Sequence, residues 1–320
     1  MRKNLFLSLA LCFALTSFAL AQKPVQMKNS YYYKRAIELI ANDGDVHEAL
    51  GFLNQEIQEH PKNGYAYYFI GCLYLDNGKP GDAIEPTNKA ISLLHKDKKW
   101  MTYAYQQRAS INLKLGNEEQ ALNDWEQALK VNPKDVNILN DRAEYYYQKD
   151  MYAESDADFN KIRTLQPGNT LGSMGVGRNA LEQGRYDEAT ELFSYCIKLD
   201  PSFSQAYAYR AETYIHRQMF TYAIDDIVSA LALDGNDRAY RLISEIGESN
   251  INNLIAKLKV QQLKDPTDNA WPFYLGNIYE GIGKYGKAIE SYQEAVKMEV
   301  NDVIFSRIAN CNHYCPVKVD

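Results

Sequence analysis

A few short stretches of this chain have the residue types and spacing that chemistry requires. Gly175 to Ala180, GVGRNA, follows G-x-G-x-x-A, the turn that lets a dinucleotide pyrophosphate approach the backbone at a helix N-terminus. That turn needs a preceding strand and a βαβ unit, and here it falls inside a helical repeat. Gly78-Lys79-Pro80-Gly81 lacks the spacing of a phosphate-cradling loop. The chain has no H-E-x-x-H, no G-x-S-x-G and no EF-hand loop. Its five histidines, His47, His60, His95, His216 and His313, are too scattered to form a local metal site. Of five cysteines, Cys196 sits in a small-residue slot and reads as a buried structural thiol. Cys311 and Cys315 are four apart, near the upper reach of a bridge on a helix. A disulfide and two free thiols both stay open there, while a zinc site lacks further ligands. The expectation is a chain without catalytic residues, metal or cofactor.

Composition narrows the classes further. Hydrophobic residues make up 46% and charged residues 24%, which excludes an intrinsically disordered chain. Net charge is −6, and it falls to −8 without Arg2 and Lys3, which argues against nucleic acid or anionic lipid as partner. Residues 1–21 read as a secretory signal peptide. Arg2 and Lys3 form the positive start, an apolar run follows, and Ala19-Leu20-Ala21 is a cleavage signal. Leu11 before Cys12 disfavours lipidation. No other stretch approaches transmembrane length. The expected mature chain starts at Gln22, with a linker over 22–29, and is periplasmic or secreted.

The elements that must position any site are set by a repeat. Ala49, Ala83, Ala121, Ala189, Ala223 and Ala288 occupy equivalent places, with Ser155 and Leu254 filling the gaps, mostly 34 residues apart. Pro61, Pro133, Pro167 and Pro201 keep the same spacing, with Pro266 after a shortened unit. So do Gly44, Gly78, Gly116, Gly184 and Gly283, five residues before their alanines. Each unit reads as two amphipathic helices, with small residues where their axes approach: Gly71, Ala109, Ala143, Gly177, Ala211 and Gly276 on the first, and the alanines on the second. The glycine stops the first helix and the proline ends the second.

This pattern resembles the tetratricopeptide repeat family, in which an aromatic at position 4, Leu-Gly at 7 and 8, an aromatic at 11, Ala at 20 and 27 and Pro at 32 recur. The second unit carries Tyr67, Ile70-Gly71, Tyr74, Ala83 and Ala90. The third carries Tyr105, Ala109, Ala121, Trp125, Ala128 and Pro133, and the eighth Leu275-Gly276, Tyr279, Ala288, Tyr292 and Ala295. The resemblance implies an all-α, right-handed α-solenoid of about eight helix-turn-helix units over 30–302. They fall at 30–63, 64–97, 102–135, 136–169, 170–203, 204–234, 235–268 and 269–302, and residues 303–320 form a capping helix and tail.

Departures carry further expectations. The insertion from Lys96 to Trp100 should lengthen a loop. Pro86 should kink its helix or start it late. The seventh unit lacks the alanine pair and is three residues short, so its first helix or loop should be distorted. Arg108, Arg142 and Arg210 stand at the mostly apolar position 7 in the same three units that carry Asp124, Asp158 and Asp226 at position 23. A charge at a core position is costly unless paired, which predicts structural Arg–Asp bridges between first and second helices.

The chain has 25 tyrosines against 11 phenylalanines and 3 tryptophans, and about half of those tyrosines fall on packing positions. First-helix positions 2, 5, 9, 12 and 13 line the concave groove in proteins of the resembled family. Here they hold Tyr31, Lys34, Tyr65, Tyr68, Cys72, Tyr103, Gln106, Asn137, Asn140, Glu144 and Tyr147. Tyrosine-rich surfaces bind peptides well, because tyrosine gives large contact area at low entropy cost. The family's carboxylate clamp is incomplete: Lys34 matches, but Glu38 stands where Asn belongs. The reading is a non-enzymatic exported scaffold that binds protein or peptide segments in the groove. The alternative is a periplasmic glycan- or envelope-associated binder that uses exposed tyrosines. Neither reading fixes the oligomeric state.

Overall fold

The computed structural model describes residues 30–314. The leader expected at 1–21, the linker at 22–29 and the tail from 315, including Cys315, lie outside the described residues. Among the described residues there are seventeen α-helices and no strand, so the fold is all-α. The chain divides between Glu154 and Ser155 into two compact units.

The first unit holds α1 (Tyr31–Ala41), α2 (Val46–Glu59), α3 (Gly64–Asp76), α4 (Pro80–Leu93), α5 (Lys98–Lys114), α6 (Glu118–Val131), α7 (Val136–Gln148) and the first residues of α8 (Tyr152–Leu165). Hairpins α1/α2, α3/α4 and α5/α6 pack in sequence, and α3 also touches α5. The second unit continues with α9 (Thr170–Glu182), α10 (Tyr186–Leu199), α11 (Ser204–His216), α12 (Phe220–Asp234), α13 (Asp237–Leu242), α14 (Glu248–Lys264), α15 (Ala270–Gly281), α16 (Tyr285–Met298) and α17 (Asp302–Tyr314).

Local sequence explains the helix ends. Ser30, Asp45, Asn63, Asp97, Asp135, Asn169 and Asn236 each accept a backbone N–H of the first turn they precede. Pro61, Pro133 and Pro201 stand just beyond α2, α6 and α10, and the residue before each has left the helical region, with ψ of 68°, 88° and 95°, as a following proline demands. Between paired helices the chain makes a left-handed turn at Gly78, Gly116, Gly184 and Gly283. In the first hairpin Gly44 does not take that role. Asp43 does, at φ 50°, since a short polar side chain tolerates this region, as does Asp150 elsewhere, whereas Gln218 holds φ 59° without that advantage.

The small residues lie where helices approach. Ala83, Ala109, Ala121, Ala128, Ala189, Ala223 and Ala288 are all fully buried. A Cβ on Gly71 would sit 2.4 Å from Thr87 Oγ1, on Gly177 2.6 Å from Phe193 Cε1, and on Gly276 2.5 Å from Tyr292 Cδ1. At those three places only glycine fits.

Two sequence expectations need correction. The insertion near Lys96 lengthens helix α5 rather than a loop. Asp97 caps an added turn, and Trp100 on that turn is buried against Tyr65, Tyr68, Phe69 and Tyr103. Burying an indole offsets the cost of ordering extra residues. Of the two outcomes expected at Pro86, the late start does not occur: helix α4 begins on time, with Pro80 at its first turn, and runs on through Pro86. The expected distortion of the seventh repeat is present. Helix α13 has only six residues, turns follow, and α14 begins after Gly247 at φ 79°. Without an alanine pair the two helices do not close on each other. Instead α13 packs on α11 and α12, and α14 on α12 and α15. Helix α17 covers the last hairpin through buried Ile304 and Cys311.

Two of the Arg–Asp pairs form as expected. Arg108 Nη2 donates to Asp124 Oδ1 at 2.6 Å, and its Nη1 to Asn88 Oδ1 at 2.7 Å. Arg210 donates from Nε and Nη2 to Asp226 at 2.7 and 2.8 Å, and from Nη1 to Ser194 Oγ at 2.9 Å. Each guanidinium thus ties its own second helix to the second helix of the preceding hairpin. Burial raises the Asp226 carboxyl, and Arg210 offsets part of the rise. Arg142 and Asp158 fall on opposite sides of the division between the two units.

Candidate partner-binding surface

In the first unit the first helices α3, α5 and α7 lie side by side and are joined by amides. Gln107 Nε2 on α5 donates to the Tyr68 carbonyl on α3 at 3.2 Å. Gln106 Nε2 on α5 donates to Asp141 Oδ2 on α7 at 2.6 Å. This face carries most of the tyrosines and amides expected in a groove.

The structure sorts those residues by exposure. Tyr65 and Tyr103 are half-buried, Asn137 is exposed, and Asn140 and Tyr147 are half-buried. Tyr31 is 68% exposed and meets Tyr32 and Phe52 edge-on, and Lys34 is exposed beside it on α1. Tyr68 and Gln106 differ from the expectation. They are 5% and 3% exposed, so a partner cannot rest on them. Trp100 meets Tyr68 edge-on with ring centroids 5.2 Å apart, and Gln106 is held by Asp141. Cys72 and Glu144 are buried too.

Carboxylates surround the phenols. Tyr65 donates its hydroxyl to Asp97 Oδ2 at 2.8 Å. Burial and that bond push its pKa up to about 12, so the phenol remains a donor across the physiological range. Tyr103 is raised by burial and by Asp135, and Lys99 lies 5.8 Å over its ring. Asp141 is the most perturbed group here. Burial, partly offset by the bond from Gln106, lifts its carboxyl to about 7, and Asp135 and Glu144 add to the rise. This face can therefore offer aromatic edges, amides and a carboxyl that changes charge near neutrality. Among the described residues no group of three or more His, Cys, Asp or Glu could hold a metal ion.

The sequence reading missed Trp100, Asp97 and Asp141. Trp100 had a signal: a tryptophan inside an insertion. Asp141 sits one residue from the groove slot at Asn140, which periodicity alone passes over. In the second unit Cys196 is buried, and burial pushes its thiol up to about 11. Cys311 is buried as well, and its pairing with Cys315 lies outside the described residues. No helix of the described residues is long and apolar enough to cross a membrane.

Known proteins resemble this chain in the same terms. The family model "Tetratricopeptide repeat" matches residues 107–170 and 177–238, and a second one of the same description matches 274–301. DnaJ homolog subfamily C member 3 of Gallus gallus is 27% identical over 256 residues, which is 79% of this chain and 46% of that protein. The chain spans less than half the length of the curated relatives it matches. A tetratricopeptide repeat protein from Parabacteroides merdae superposes with a TM-score of 0.54 at 21% identity, over 88% of this chain and 97% of that one. The C-terminal part of a repeat-containing protein from Cytophaga hutchinsonii gives 0.55 at 15%, over 86% and 99%. At these identities the likeness to solved structures is one of fold.

Proposed function

We propose that this chain, which belongs to the tetratricopeptide repeat family, is a non-enzymatic scaffold that binds a protein or peptide segment along the α3–α5–α7 face. The family fold supports protein partners in general. The observation that carries the finer reading is the strip of half-buried Tyr65 and Tyr103, with Asn137, Asn140 and Tyr147, on helices held in register by the Gln107 and Gln106 bonds. Pre-ordered phenols and amides lose little entropy when a partner settles on them. The leader-like residues 1–21 support export, which is part of the same proposal.

The test is crosslinking in the native host with wild type and with Tyr65→Ala/Tyr103→Ala. The variant should keep its helical circular dichroism and lose its crosslinked partner. Undiminished capture by a well-folded variant removes this face from the proposal.

A further inference from the structure

A second concave site lies wholly within the second unit and shares no residue with the face just described. Four elements converge on a recess of about 370 Å³: Tyr240 from α13, Asn277, Glu280 and Gly281 from α15, Tyr285 from α16, and Arg307 and Tyr314 from α17. Its walls are aromatic. Tyr285 and Tyr314 stack at 5.3 Å with 23° between their planes, and both line the recess. Tyr240 is partly exposed on another wall, and burial raises its hydroxyl pKa, which keeps the phenol a donor at neutral pH.

The polar groups are planar, mixed in kind and already fixed. Tyr292, fully buried beneath them, places its hydroxyl 2.6 Å from Glu280 Oε2 and 2.7 Å from Asn277 Oδ1. Arg307 Nη1 donates to the same Glu280 oxygen at 3.3 Å. Among the described residues that is the one ion pair of this guanidinium, so most of its N–H groups remain to donate. The recess thus offers donors from Arg307 and Tyr240 and an acceptor from Glu280, with one positive and one negative charge that cancel. A ligand of single charge would gain from one of that pair about what it loses to the other, so the pair gives it no net attraction. A neutral ligand with both hydroxyl donors and acceptors, and with one apolar face for a ring, can use both. Gly281 lines the recess, and a Cβ added there would meet nothing within 4 Å.

We propose that this recess is a carbohydrate subsite that takes one neutral pyranose unit of an oligosaccharide, with the C–H face of the sugar on a tyrosine ring and its hydroxyls on Glu280, Arg307 and Asn277. The reading stands apart from the peptide-binding face, so the failure of either leaves the other intact.

The full chain is titrated by calorimetry with maltohexaose, cellohexaose, laminarihexaose and chitohexaose, and with an acidic peptide blocked at both ends. At least one hexaose should bind saturably and the peptide should not. Arg307→Gln should weaken that binding about tenfold or more through lost charged hydrogen bonds. Gly281→Leu, at an exposed helix-compatible position, should fill the recess and abolish binding while thermal melting stays unchanged. Tyr65→Ala in the first unit should leave sugar binding as it was. Silence from all four hexaoses, full affinity in a folded Gly281→Leu chain, or peptide binding that Gly281→Leu abolishes would each overturn the proposal.

Discussion

Asp141 makes the first unit sensitive to pH, and the sign follows from its surroundings. Its carboxyl titrates near 7 in the fold against an ordinary value of 3.8, because burial disfavours the charged form. The folded chain therefore binds this proton more tightly than the unfolded one. Stability contributed by the protonated group is present at pH 4 and is lost as pH rises to 7. Three pH units correspond to about 4 kcal/mol, and water reaching a half-buried group reduces that to about 2–4 kcal/mol at pH 8. Asp141→Asn keeps an acceptor for Gln106 and removes the charge. The variant should match wild type at pH 4 and exceed it by that amount at pH 8. Taking the difference between two chains cancels every other titrating group. Urea unfolding followed by circular dichroism at four pH values supplies the comparison, and carbon-detected NMR of the carboxyl supplies the pKa itself. A wild-type carboxyl titrating near 4, or a stability difference that does not change with pH, would refute the reasoning.

Other substitutions probe the packing and the turns. Asp226→Ala leaves the Arg210 guanidinium half-buried without its carboxylate and should cost about 3–5 kcal/mol in urea unfolding, whereas Arg210→Met with Asp226→Leu should restore most of it. Gly276→Ala forces a methyl against the fully buried Tyr292 ring and should cost about 1–3 kcal/mol, read in the same way. Gln218 holds φ 59° where four other hairpins use glycine, so Gln218→Gly should gain about 0.5–1 kcal/mol, seen as a higher melting temperature.

The repeat was legible in the sequence because its causes are local. A glycine or alanine is required wherever two helix axes approach, a proline wherever a helix must stop, and both recur at one stride. The Arg108–Asp124 and Arg210–Asp226 pairs were legible for a related reason: a lone charge at a core position demands a partner sixteen residues on. Turn conformation was less so, since Asp43 rather than Gly44 takes the left-handed position.

What the sequence determined by itself was therefore the all-α repeat, its register and the positions that must stay small. The tertiary structure decided which of the aligned tyrosines face solvent. Tyr68 and Tyr65 hold equivalent helical faces by periodicity, yet an extra turn of α5 brings Trp100 onto them and buries only Tyr68. It also decided that Asp141 is neutralised near pH 7 and that Tyr240, Glu280 and Arg307, from three different helices, line one recess. Burial and convergence depend on what neighbouring helices bring to the same place, and spacing along one helix cannot carry that information.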